Sequence, residues 1–255
     1  MELSASLRKT VRDLGSARHR RESGLFVAEG TKCVLETLAA FKCRYLFATA
    51  AWIEQHQAGL PSGIPDIITV KQADIERMSQ LKTPQPVIAV YEIPEPDMPD
   101  ITGGDLIPAL DCVQDPGNLG TIIRVADWFG ITDILASHDT VDCFNPKVVQ
   151  ATMGAIGRVH VSYVDLPVTL SDARKRGVHI YGTFLDGENI YATPLSPGGI
   201  IVMGNEGNGI SQAVAATVDR RLLIPPYPGD RETVESLNVS MATAVTVAEF
   251  RRRVL

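Results

Sequence analysis

Five polar residues between positions 118 and 238 have types and spacings that could do chemistry. Arg124 stands in Asn118-Leu119-Gly120-Thr121-Ile122-Ile123-Arg124-Val125-Ala126-Asp127-Trp128-Phe129-Gly130, a helical run that is otherwise mostly apolar. A guanidinium between Ile123 and Val125 keeps its charge and must find an anion or water. The run therefore points to a site that meets phosphate or carboxylate. A second stretch, Gly204-Asn205-Glu206-Gly207-Asn208-Gly209-Ile210-Ser211, is rich in glycine. It is neither G-x-G-x-x-G nor a P-loop, whose lysine it lacks. Glu206 at its centre would repel a phosphate. The loop suits a cationic or hydroxyl-bearing ligand, or else it braces its own backbone amides. A third stretch, Glu235-Ser236-Leu237-Asn238, opens the last predicted helix. Ser236 is expected to cap that helix, and Asn238 to fall inside its first turn. Ser236 and Asn238 together offer the uncharged donors and acceptors that an adenosine-type ligand needs.

All three stretches follow predicted strands. Ile107–Val113 reads as a buried strand, and Asn118 is expected to cap a helix through Phe129, with Gly130 as its stop. Strand Asp133–Ala136, helix Pro146–Ala155, strand Val159–Tyr163, helix Val168–Arg176 and strands Val178–Phe184 and Gly199–Met203 follow. After the glycine-rich loop come a short helix to Thr217, strand Arg221–Ile224, a long loop and a helix from Leu237 to Arg252. This alternation predicts an α/β fold with a parallel sheet covered on both faces, which binds ligands at the carboxyl ends of its strands. Upstream, strands at Leu25–Ala28, Arg44–Ala48, Asp66–Val70 and Val87–Tyr91 alternate with helices at Thr31–Ala40, Ala50–Gln57 and Gln72–Gln80, which predicts a small α/β domain. Between them, Pro94, Pro96, Pro99, Gly103 and Gly104 mark a linker. The expected organisation is a domain at 1–92, a linker at 93–104 and a larger domain at 105–255.

Over 255 residues, 45% hydrophobic and 21% charged content suit a globular chain with a sizeable core. A net charge of −6 rules out an overall polycation, so any nucleic-acid contact must be local. Arg8, Lys9, Arg12, Arg18, Arg20 and Arg21 face only Glu2 and Asp13 in the first 21 residues. That cluster is either a solvated helix face or an RNA contact. Cys33, Cys43, Cys112 and Cys143 form no C-x-x-C pair, and the histidines have no metal-ligand spacing. No disulfide framework or metal site is expected, and reduced thiols suit the cytoplasm. No signal core and no run of membrane-spanning length is seen.

Taken together, the three stretches resemble the three motifs of the SpoU/TrmH family of RNA ribose 2′-O-methyltransferases, within the SPOUT superfamily. The first is carried by Asn118, Gly120, Arg124, Ala126, Phe129 and Gly130, the second by Gly204 to Ser211, and the third by Glu235-Ser236-Leu237-Asn238-Val239-Ser240 with Ala242. Arg18–Arg21 and Phe26-Val27-Ala28-Glu29-Gly30 resemble the family's substrate-binding domain of ribosomal-protein-like fold. The resemblance implies a parallel-sheet SPOUT domain with a C-terminal trefoil knot and a homodimer through that domain. It also implies S-adenosylmethionine as methyl donor and a ribose 2′-hydroxyl of rRNA or tRNA, rRNA favoured, as acceptor. By resemblance, Gly204, Asn205, Ile224, Leu237 and Asn238 would contact the cofactor, joined by Thr183. Arg124, Asn118, Glu206, Ser236 and Asn238 would form the catalytic set, and Arg8, Lys9, Arg18, Arg20, Arg21 and Arg124 would bind RNA. Pro226 to Val234 is longer than this family leads one to expect.

Arginine gives up its proton only above about pH 12, so it is a poor base. Arg124 either orients a phosphate beside the target ribose by a bidentate contact, or passes a proton to that phosphate and then acts as base, the role often proposed for the family. Rival readings are a SPOUT base methyltransferase and a non-catalytic RNA-binding relative. A nucleotide-dependent oxidoreductase is disfavoured by the missing G-x-G-x-x-G.

Overall fold

A computed structural model describes residues 3–228 and 236–254. The chain forms two compact units. One holds the chain up to Glu95 together with Asp142–Arg158, and the other holds Pro96–Val141 and the chain from Val159 onward. In chain order the elements are α1 (Ala5–Asp13), α2 (Ala17–Ser23), β1 (Leu25–Glu29), α3 (Thr31–Thr37), β2 (Cys43–Ala48), α4 (Ala50–His56), β3 (Ile67–Thr69), α5 (Gln72–Met78) and β4 (Val87–Glu92). They continue as β5 (Leu106–Leu110), α6 (Pro116–Trp128), β6 (Asp133–Ser137), α7 (Pro146–Thr152), β7 (His160–Val164), α8 (Leu166–Lys175), β8 (Ile180–Asn189), β9 (Gly199–Met203), α9 (Gln212–Ala215), β10 (Arg220–Leu223) and α10 (Val239–Arg252).

The first unit is built on a four-stranded sheet, β1-β4-β2-β3, in which β4 runs antiparallel to β1 and β2. Its alternating apolar faces bury Val27, Phe47, Ile68, Ile88 and Val90 beneath Val11, Leu14, Ile75 and Met78 of the helices. Helix α7 belongs to this unit, where it packs against β1 and α3. The sequence alternation led one to expect it over the parallel sheet instead. Tertiary contacts account for the difference. Phe144 meets Phe26 at 4.5 Å between ring centroids, and the Cys33 thiol lies 3.8 Å from the Val149 carbonyl oxygen. The segment also comes very close to α3. A Cβ on Gly154 would lie 2.4 Å from Cβ of Glu36, and one on Gly157 would lie 2.9 Å from Cβ of Ala40.

The second unit is a six-stranded sheet, β10-β8-β9-β5-β6-β7, with every pairing parallel. All residues of β5 and β9 are buried, as central strands covered on both faces must be. Strand order reverses between β5 and β9, the switch point at which such sheets open a crevice at their carboxyl ends. Helix α10 packs on α6, and its Arg251 Nε donates to the Phe129 carbonyl at the end of α6 (3.0 Å). Lower on α10, Glu249 is 5% exposed and accepts from Arg252 (2.8 Å) and Arg253 (2.7 Å). These bonds, that from Arg252 foremost, hold its carboxyl at about 2, against an ordinary 4.5. Among the described residues, no helix is long and apolar enough to cross a membrane.

Two outcomes test these anchors. Gly154→Ala must place a side chain at φ +100° and against Glu36. It should destabilise the protein by roughly 1–3 kcal/mol in urea denaturation. Glu249 has a depressed folded pKa, so its stabilising effect is full above its unfolded value and fades as pH falls from 4.5 toward about 2. Glu249→Gln should therefore flatten the fall of Tm across that window while lowering Tm at neutral pH.

Candidate functional site

The site lies at the switch point. After β5 the chain turns through Cys112, which holds a left-handed φ of +59°. The residue is pinned on both sides: its N–H donates to Ser137 Oγ (2.8 Å) and its carbonyl accepts from Asn205 Nδ2 (2.8 Å). Beside it, buried Asp111 accepts from the Ser211 N–H (2.7 Å), which closes the far end of the glycine-rich loop.

That loop is closed on itself. Asn205 and Gly209 exchange N–H···O=C bonds of 2.9 Å, and Asn205 Oδ1 accepts from the Gly207 and Asn208 amides at 2.9 and 3.0 Å. A Cβ on Gly204 would lie 2.3 Å from the backbone of Gly209 and Ile210, so only glycine fits there. Of the two roles left open for this loop, bracing of its own amides is realised. Asn205, expected to contact a cofactor, has its side-chain oxygen and both backbone groups engaged within the loop. The turn leaves Glu206 exposed at its tip.

Helix α6 starts earlier than expected. Asp115 caps it by accepting from the Asn118 N–H (2.9 Å), with Pro116 at the first helical position. The Asp-Pro pair is a legible helix start, since proline gives up no helical donor there. Asn118 is thereby freed from the capping role the sequence suggested. Its Nδ2 donates to Glu206 Oε1 (2.5 Å), and its Oδ1 accepts from Asn238 Nδ2 (2.9 Å). Asn238, and not Ser236, caps α10. Its Oδ1 accepts from Ser240 N (3.0 Å), Ser240 Oγ (2.6 Å) and Met241 N (3.4 Å). The last helix accordingly begins at Val239. Ser236 is exposed and, among the described residues, makes no hydrogen bond, so the predicted cap is displaced by two residues. Glu235 and the loop from Gly229 onward lie outside the described residues.

One hydrogen-bonded line, Glu206–Asn118–Asn238–Ser240, thus joins the three stretches across separations of 88 and 120 residues. Arg124 projects from α6 into solvent and, among the described residues, has no hydrogen-bond or ion-pair partner. Its neighbours Ile122, Ile123 and Ala126 are buried and hold the helix down. An exposed guanidinium on a fixed helix can take a phosphate or carboxylate in a bidentate contact.

Three of the residues expected to hold a cofactor follow the last β8–β9 pairing and its neighbour on β10, although Thr183 lies within β8 and not at its end. Gly182 of β8 pairs with Val202 of β9 and Arg221 of β10. Thr183, Gly204 and Ile224 follow those pairings within one to three residues. Thr183 Oγ1 donates to the Val202 carbonyl (3.4 Å), Ile224 is partly buried and Leu237 is 50% exposed. The loop from Gly204 to Ser211 holds one carboxylate and no cation. A loop with that charge offers no cation to a phosphate.

The basic N-terminus divides. Arg20, expected on an RNA-contacting face, is 1% exposed. Its guanidinium donates to the Leu14 (2.9 Å) and Gly15 (3.1 Å) carbonyls and to Asp142 (2.5 Å). An arginine so enclosed and fully partnered is part of the fold, which corrects that expectation. Arg8, Lys9 and Arg18 pair with Asp74, Asp13 and Glu22, at 3.0, 3.0 and 2.7 Å. Arg21 is exposed and has no partner among the described residues.

Comparison with known proteins identifies the family. Residues 105–248 match the SpoU rRNA Methylase family, and residues 8–89 match the MRM3-like substrate binding domain. The chain is 30% identical, over 95% of both chains, to the 23S rRNA (guanosine(2553)-2′-O)-methyltransferase RlmP of Bacillus subtilis. A putative RNA methyltransferase of the TrmH family from Porphyromonas gingivalis is 41% identical. It superposes with a TM-score of 0.89 over 98% of this chain and 99% of its own. An AdoMet-bound rRNA methyltransferase of Sinorhizobium meliloti is 30% identical, with a TM-score of 0.85 over 100% and 98%.

Separating the two tasks of Asn238 tests the line. Asn238→Ala should destabilise by about 1–2 kcal/mol through loss of the cap. Asn238→Asp keeps a cap but removes the Nδ2 donor to Asn118, so urea denaturation should find it closer to the parent.

Proposed function

The chain belongs to the SpoU rRNA methylase family, and from that premise we propose that it transfers a methyl group from S-adenosylmethionine to a ribose 2′-hydroxyl of rRNA. The observation that carries the site assignment is the line Glu206–Asn118–Asn238, which ties three distant segments together, with exposed Arg124 six residues further along the same helix α6. Relatives named 23S rRNA 2′-O-methyltransferases and an AdoMet-bound neighbour support the reaction and its donor.

When bound, S-adenosylmethionine supplies an electrophilic methyl group on a sulfonium. Thr183, Gly204, Ile224 and Leu237 would hold it, in a donor set that suits an uncharged adenosine and a cation. Asn205 supports them by keeping the loop shut. Arg124 takes the phosphate next to the target ribose in a bidentate contact, which fixes the 2′-oxygen for in-line attack as its hydroxyl proton leaves to solvent. Arg124 stands in solvent and, among the described residues, is in no ion pair. Anchoring therefore asks less of it than acting as a base. Glu206, Asn118 and Asn238 hold the loop, α6 and α10 in register around that contact. Ser236 lies next to them and is free to meet RNA or donor.

The second unit is then the methyltransferase domain, the segment 93–104 a linker, and the first unit the RNA-binding domain. Arg8, Lys9, Arg18 and Arg21 remain as its N-terminal RNA contacts. We also infer the family's C-terminal knot: the chain leaves β10 at the sheet edge and returns as α10 to pack on α6. A homodimer through this domain is supported by Trp128 on α6 (85% exposed) and Met241 on α10 (52%), large apolar side chains on two helices in contact. Four free cysteines suit the cytoplasm, where rRNA is modified.

Arg124→Ala should reduce methyl transfer by about a hundredfold or more, with unchanged donor affinity by calorimetry. Near-normal turnover would remove Arg124 from the site. Alkaline hydrolysis of the labelled RNA separates products: a 2′-O-methyl group blocks cleavage at the modified nucleotide, whereas a methylated base does not.

A further inference from the structure

The first unit holds a cleft of about 420 Å³ that the proposed methyl transfer does not use. Its rim comes from three places: the β1–α3 turn with Lys32, the loop between α5 and β4 with Lys82 and Gln85, and the α7 segment with Gln150 and Met153. The volume lies in the range of small-ligand sites.

Lys32 and Lys82 are exposed, and among the described residues neither is in an ion pair. Gln150 contributes a side-chain oxygen that is buried and has no hydrogen-bond partner. A buried acceptor without a donor is costly, so a ligand that donates to it gains by binding. Met153 sits at the lip with φ +53° and is 38% exposed, offering a polarizable thioether to a flat ring. The one carboxylate in the wall, Glu29, is 4% exposed and accepts from Ser79 Oγ and the Gln80 N–H, so it is turned away from the opening.

Two unpaired cations at the rim, an unsatisfied amide within and an apolar lip match a nucleotide in a strand. We propose, resting on the RNA substrate inferred above, that this cleft takes one unpaired nucleotide of that RNA, with its flanking phosphates on Lys32 and Lys82 and its base edge on Gln150. The α7 segment enters from the middle of the methyltransferase chain, so the RNA-binding unit has this cleft only when the full chain is present.

The test uses the full-length protein and bacterial 23S rRNA transcribed in vitro. The double variant K32Q/K82Q replaces exposed side chains without partners and should leave Tm unchanged. Its RNA affinity should fall about tenfold or more, and the slope of log affinity against log salt should shrink by about 1.4, or ~0.7 for each phosphate released. Affinity for S-adenosylmethionine should not change. With 4-thiouridine in the transcript, photo-crosslinking should label the segment Val148–Arg158. Unchanged affinity and slope overturn the assignment. So does a loss of affinity without that crosslink, since bulk charge would then explain it. In either case the wild-type protein still methylates the transcript. If it transfers no methyl group to RNA at all, the proposed reaction itself has failed.

Discussion

The site depends on Asn118 having both ends of its amide engaged. Its Nδ2 donates to Glu206 and its Oδ1 accepts from Asn238, so one side chain fixes the glycine-rich loop and α10 to α6. The bond to the carboxylate is charge-assisted and stronger than a neutral one. Both bonds are open to water, so they contribute little net stability. Their effect is positional: they join, at the site itself, three segments that helix packing and the loop's bonds to Asp111 and Cys112 already bring close. Burial supplies the energy, through β5, β9 and the apolar face of α6, and the amide line sets the alignment.

The two acidic residues at the switch point act differently. Asp111 is buried and clamps Ser211, so its charge is absorbed by the backbone. Glu206 is exposed at the loop tip, where its carboxylate accepts from Asn118 and keeps its negative charge at the surface. Arg124 supplies the opposite charge from α6, and in the proposed reaction that charge meets phosphate. A site that separates a carboxylate from a guanidinium suits a reaction between a cation and a polyanion. Mutual neutralisation of the two side chains would remove both functions.

The inserted α7 segment shows how tertiary packing redraws an organisation that runs in order along the sequence. Gly154 and Gly157 allow close approach to α3, and Phe144 and Asp142 supply an aromatic contact and a partner for buried Arg20. Methyltransferase chain therefore completes the smaller unit. Arg20 illustrates the consequence. Within a cluster of six basic residues it looks like its neighbours, yet the carboxylate that claims it is 122 residues away.

The sequence by itself determined the alternation of strands and helices, the parallel sheet and the three polar stretches at strand ends. These are local signals: apolar runs of strand length, glycine turns, and charges out of place in apolar helices. It also held the Asp115-Pro116 helix start, a short-range signal overshadowed by Asn118. Only the tertiary structure decided which asparagine caps which helix, because Asn118 and Asn238 satisfy each other across 120 residues. It alone placed α7 in the first unit, buried Arg20 and left Gln150 with an unmet acceptor. Propensity acts over a few residues, whereas hydrogen-bond satisfaction and burial depend on whatever the fold brings alongside.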